Sequence, residues 1–173
     1  VRHGITPWNL ASRIQGSMDI ALHDIGREQA RALQTIHHEL PITHIFYSPM
    51  KRTIETMHII NEHRQIPTTS LPHLREWHRG DLEGQLISYA ESVNHSTLNA
   101  ESELDFFSRT YEAMHHIAHY NEVPLIVAHA GTYKALCKAI NAPFVSAISN
   151  CTIVHFQAPD EETADAPWII TQV

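Results

Sequence analysis

A chain of 173 residues, 43% hydrophobic and 18% charged, is sized and composed for one globular domain. No apolar run in it approaches the roughly 18 to 20 residues that cross a bilayer. Its formal charge of −7 disfavours nucleic-acid binding unless basic side chains are gathered in one place. Cys137 and Cys151 are too few for a disulfide framework and read as buried thiols of a reducing compartment. With no secretory pattern at the start, the cytoplasm is the expected location.

In chain order, Arg2-His3-Gly4 reads as the end of a strand whose earlier part precedes Val1. A loop-like stretch from Asn9 leads to a helix capped by Asp24, with Ala30, Leu33, Ile36 and Leu40 at helical spacing. Thr43 to Tyr47 predicts a short buried strand, and Lys51 to His63 a second amphipathic helix. Leu104, Phe107, Tyr111, Met114 and Ala118 mark a third helix, whose apolar stripe is assigned to the core. Leu125 to Ala128 predicts another buried strand, and Thr132 to Ile140 a helix. Two β-rich runs, Thr152 to Phe156 and Trp168 to Val173, close the chain. Helices and strands alternating from end to end predict α/β layers.

Four segments look like edges of an anion site: Arg2-His3-Gly4, Ser48 to Thr53 (SPMKRT), Leu74-Arg75-Glu76 and His129-Ala130-Gly131. In open α/β sheets ligands collect beyond the carboxyl ends of strands, where helix N-termini offer free N–H groups. The expected result is one oxyanion pocket, with Gly4 and Gly131 permitting close backbone approach.

In this order and spacing the segments resemble the histidine phosphatase superfamily, in its phosphoglycerate mutase-like branch. The resemblance rests on RHGITPWN at Arg2 to Asn9, Gln15-Gly16, and the spacing of Asp19, Leu22 and Gly26. It continues through SPMKRTIET at Ser48 to Thr56, LREWHRGDLEG at Leu74 to Gly84, and VAHAG at Val127 to Gly131. It implies a three-layer α/β/α domain over residues 1–173 with a mainly parallel central sheet. It also implies a cofactor-free, metal-independent phosphomonoesterase acting on a small phosphorylated metabolite. His3 would form a phosphohistidine, Arg2 and Arg52 would hold the equatorial oxygens, and His129 would be a second imidazole donor. Glu76 would serve as general acid and base, with Glu83 its rival and a bell-shaped pH profile on the acidic side of neutrality as the consequence. Asn9, Gln15, Gly16 and Gly131 would contact the substrate.

Two departures from the family pattern bear on specificity. Ala130 puts a methyl group near the pocket where glycine is common in the family. Between Gly84 and Ala128 the one Lys or Arg is Arg109, against Glu91, Glu101, Glu103, Asp105, Glu112 and Glu122. A mutase would need a basic clamp there, so a small phosphatase is favoured, and an acidic lid over Glu91 to Asp105 would disfavour polyanionic substrates. The alternatives are a phosphoglycerate mutase and a catalytically idle member that binds a phosphorylated ligand; a homodimer is one option for the assembly. The 15 histidines also raise metal binding, chiefly at His115, His116 and His119. Helical geometry lets at most two of those three converge. Lys51, His37, His38, His73 and His78 read as surface or rim positions, with His78 able to touch the pocket mouth. The sequons at Asn94-His95-Ser96 and Asn150-Cys151-Thr152 read as chance matches.

Overall fold

A computed structural model describes residues 1–92, 99–120, 123–142, 148–158 and 169–172, without the side chains of His37 and His38. Asn94 to Ser96, Glu122, Trp168 and Val173 lie outside the described residues. Helices α1 (Pro7–Leu10) and α2 (Asp24–Glu39) precede strand β1 (His44–Tyr47), helix α3 (Lys51–Ile60) and strand β2 (Thr68–Ser70). Two single 3-10 turns, Pro72–Leu74 and Gly80–Leu82, lead to α4 (Ile87–Ala90) and α5 (Glu103–Ala118). Strand β3 (Pro124–Val127), α6 (Ala130–Ala139), β4 (Val154–Gln157) and β5 (Ile169–Gln172) follow.

The central sheet has the order β2-β1-β3, all parallel. Residues 1–3 extend it beyond β3: the His3 amide donates to the Ala128 carbonyl at 3.0 Å, and the Ala128 amide to Val1 at 2.9 Å. On their far side, Cys151 donates to the Arg2 carbonyl at 3.0 Å, so the short opening segment is paired on both edges. β4 and β5 form a separate antiparallel pair.

Strand alternation sorts the core into layers. Ile45, Leu125 and Val127 pack with Ala30 and Leu33 of α2 and Met57 and Ile60 of α3. Phe46 and Ile126 point the other way, against Ala113 and Ile117 of α5. A third cluster joins Tyr133 and Cys137 of α6 to Ile148, Val154, Phe156 and Ile170. Helices thus cover both faces of a parallel sheet, the three-layer arrangement expected from the sequence. Both cysteines are buried and free, and burial pushes the Cys151 thiol up to about 12. Among the described residues no helix is long and apolar enough to cross a membrane.

Several local expectations need correction. The cap of α2 is His23, whose Nδ1 accepts from the Ile25 amide, and Asp24 is the first helical residue. Helix α3 ends at Ile60, because the Asn61 side chain bonds both the amide and the carbonyl of Ile66 and turns the chain. The buried side of α5 is Phe106, Thr110, Ala113 and Ile117, while Leu104 is 74% and Tyr111 57% exposed. The predicted stripe is therefore rotated by about one residue, since this helix carries apolar side chains on adjacent faces. Strand β2, polar and three residues long, has no counterpart in the sequence reading.

Candidate active site

The carboxyl ends of β1, β3 and the opening segment meet at one edge of the sheet. His3 is buried there, with Nδ1 2.8 Å from the Gly4 carbonyl oxygen. A carbonyl can only accept, so Nδ1 carries the proton and Nε2 the lone pair. Burial, reinforced by the nearby Arg52 and Arg2 cations, holds the imidazole pKa well below its ordinary 6.5, so the ring is neutral.

Arg52, the second residue of α3, is fully buried. Its guanidinium donates to the carbonyls of Met18 at 2.8 Å and Gly16 at 2.9 Å, while its buried Nε has no partner. Burial lowers it to about 10, leaving it charged at neutral pH. Arg2 donates to the Ile148 carbonyl at 2.6 Å and likewise keeps an unpaired Nε. Two oriented cations beside a neutral imidazole make an oxyanion receptor. Gly16 presents its carbonyl to Arg52 from a backbone with φ of +51°, where a Cβ would meet Glu83 Oε1 at 2.1 Å.

His129 caps α6, with Nε2 2.8 Å from Ser48 Oγ and its ring centroid 5.4 Å from that of His3. It is buried and neutral, its pKa lowered first by burial and then by Arg52, and its Nδ1 is unpaired. Asn9 Oδ1 accepts from the amide and the hydroxyl of Thr6, both at 3.0 Å. Its amide nitrogen is left as the group able to donate to an anion. Gln15 is buried on the same wall.

Glu76 follows the first 3-10 turn and is held across the cavity from the arginines. Oε1 accepts from the Trp77 amide at 2.9 Å and Oε2 from the Gly131 amide at 3.3 Å. A Cβ at Gly131 would lie 2.2 Å from Oε1, so only glycine lets the start of α6 approach this carboxylate. The expected rival, Glu83, instead accepts from the amides of Ser17 at 2.6 Å and Arg79 at 2.9 Å. It is a staple between loops and does not line the cavity.

These groups surround one open cavity of about 480 Å³, lined by eight of the nine expected site residues. The ninth, His129, sits behind the wall. Ala130 also lines it, putting its methyl group at the pocket as expected. Lys51 is exposed, with its amide donating to Asp19 Oδ1 at 2.7 Å. His78 is exposed and does not reach the cavity. The His115 and His119 rings are tilted at 54° with centroids 4.5 Å apart, and the His119 Nδ1 engages the His115 carbonyl at 2.6 Å. Among the described residues no group of three or more His, Cys, Asp or Glu side chains is arranged to hold a metal ion.

Sequence reasoning missed Arg109. Its Nη1 donates to the carbonyls of His73 at 2.9 Å and Arg75 at 2.7 Å, and its Nη2 to that of Glu76 at 3.2 Å. Glu101 grips the same guanidinium through both oxygens, at 2.6 and 2.8 Å. The one base in an acidic stretch thus fixes the backbone that presents Glu76. A lone arginine on a helix has no motif, so no sequence signal pointed to it.

The family model described as histidine phosphatase superfamily (branch 1) matches residues 1–164. The uncharacterized phosphatase PhoE of Bacillus subtilis (strain 168) is 32% identical over 146 residues, covering 82% of this chain and 75% of that protein. Phosphoglycerate mutase-like protein 4 of Arabidopsis thaliana is 31% identical over 154 residues, covering 79% of this chain and 67% of that protein. The solved structure of Bacillus stearothermophilus YhfR superposes with a TM-score of 0.81 at 27% identity, covering 91% of this chain and 89% of that one.

Proposed function

Because the chain belongs to the histidine phosphatase superfamily, we propose that it hydrolyses a small phosphomonoester through a phosphohistidine on His3. The observation that carries this reading is the Nδ1 contact to the Gly4 carbonyl, which leaves the Nε2 lone pair as the nucleophile. Nε2 attacks phosphorus in line, the P–O bond to the leaving group breaks, and that oxygen takes a proton from Glu76. Water then attacks the phosphohistidine and gives its proton to the Glu76 carboxylate. The P–N bond breaks, and inorganic phosphate leaves. Arg2 and Arg52 neutralise charge on the equatorial oxygens, and His129 sits behind them as a neutral donor.

The test is phosphate release from a panel of phosphomonoesters in the presence of EDTA. The native chain turns over, and His3→Ala loses on the order of 10⁴-fold in kcat. Turnover that survives in His3→Ala defeats the assignment. Isomerisation of a phosphorylated acid faster than phosphate release identifies a mutase instead.

A further inference from the structure

Arg52 takes its direction from a loop. Its guanidinium rests on the Gly16 and Met18 carbonyls, which flank Ser17, and residues 14–23 contain no helix or strand that could fix them. Among the described residues no carboxylate pairs with Arg52, so these two carbonyls orient it. Whatever holds Ser17 therefore aims the buried arginine.

The holder is Glu83. Its Oε1 accepts from the Ser17 amide at 2.6 Å and the Arg79 amide at 2.9 Å, and its Oε2 accepts from the Ser17 hydroxyl at 3.0 Å. The flanking chain is laced to the same segment, since the Gly84 amide donates to Ile14 at 2.8 Å, the Ile14 amide to Gln85 at 2.9 Å and the Ile87 amide to Ser12 at 2.9 Å. Those bonds all fall before Gly16. Glu83 carries the clamp past it, into the turn whose backbone Arg52 uses, and Gly16 leaves the room that the carboxylate fills. On the far side, Asp19 Oδ1 accepts from the Lys51 amide at 2.7 Å, tying the end of the turn to the residue before Arg52.

We propose that Glu83 is a positioning residue for anion binding: by holding Ser17 it sets the Gly16 and Met18 carbonyls that point the Arg52 guanidinium at the phosphate. This deepens the hydrolase reading and rests on its phosphate site. A guanidinium is a planar fork, so committing two of its nitrogens to carbonyls directs its remaining donors. The bonds of Glu83 also separate this role from proton transfer. Both amide bonds fall on Oε1, and the one partner of Oε2 is a hydroxyl, which accepts as readily as it donates. Glu83→Gln therefore keeps all three bonds without the charge or the proton, whereas Glu83→Ala loses them.

Two readouts test this on the whole chain. The first is nitrogen NMR of the Arg52 guanidinium, identified by the signals missing from Arg52→Lys. In the native chain the two Nη groups, each bound to its own carbonyl, give separate signals; in Glu83→Ala rotation about the Cζ–Nε bond merges them. The second is calorimetric titration with inorganic phosphate, in which the stoichiometry reports the fraction folded and Kd reports the site. A misdirected contact group costs up to about 10²-fold, and the expected rise in Kd for Glu83→Ala is about tenfold. Glu83→Gln matches the native chain in both readouts. Separate Nη signals or a native Kd in Glu83→Ala overturns the proposal, and so does a Glu83→Gln chain that behaves like Glu83→Ala. If the native chain binds no phosphate, the hydrolase reading fails separately, and the Nη signals still decide whether Glu83 orients Arg52.

Discussion

His3 and His129 are both buried and neutral, and that has a consequence for stability. Each has a native pKa held well below the 6.5 of an exposed imidazole, by burial first and the Arg52 cation second. Below pH 6.5 the unfolded chain therefore binds protons that the native state refuses, and linkage makes native stability fall as pH falls. The loss begins near the unfolded value and continues down to the native ones, at roughly 1 kcal/mol per pH unit for each histidine. Urea unfolding at pH 7, 6 and 5 checks this. The native chain loses stability steeply over that interval, and a His3→Gln/His129→Gln chain follows a flatter line. Parallel lines for the two proteins would remove the buried-neutral description. The same physics serves the proposed chemistry, because an imidazole that resists protonation keeps its lone pair in mildly acidic solution.

At the scale of elements, the carboxylate and the helix that aligns it are coupled through Arg109. Helix α5 reaches the Glu76 loop by one guanidinium on three carbonyls, and Glu101 keeps that guanidinium in plane. Arg109 is thus a positioning residue, and Arg109→Lys keeps the charge while losing the fork. The expected outcome is about a tenfold fall in kcat on an alkyl phosphate with KM nearly unchanged, and a much smaller fall on p-nitrophenyl phosphate, whose leaving group needs little proton donation. Equal losses on both esters would mean that Arg109 only holds the fold. What could be read from the chain follows the same division. Strands β1 and β3 were legible because HIFY and LIVA are short apolar runs bounded by polar turns. β2 was not, because Thr68-Thr69-Ser70 is polar and owes its strand geometry to pairing with Ile45, Phe46 and Tyr47. The core face of α5 was misread because Phe107 beside Phe106 gives two overlapping helical stripes, and the sheet chooses between them through Phe46 and Ile126.

Over the whole molecule, the motifs that line the inner cavity, the cradle proposed for phosphate, were visible because each is several residues long. The role of Arg109 was not, because it is a single residue whose meaning depends on what folding sets beside it. The folded chain also gathers its cost there: the buried polar atoms without partners include Nε of Arg2, Nε of Arg52 and Nδ1 of His129. An unpaired buried donor opposes folding, whereas an oxyanion in the cradle offsets the paired positive charge. Inorganic phosphate is therefore expected to stabilise the protein well beyond an equal ionic strength of chloride. At a concentration about 100 times its Kd, the gain is about 3 kcal/mol, or roughly 5–10 °C in Tm for a domain of this size. Arg52→Met fills a similar volume without the charge and should abolish most of that phosphate-dependent rise, whatever it does to the midpoint in chloride. A Tm that responds to phosphate equally in both proteins would place the anion elsewhere on the surface and separate the buried arginine from the site.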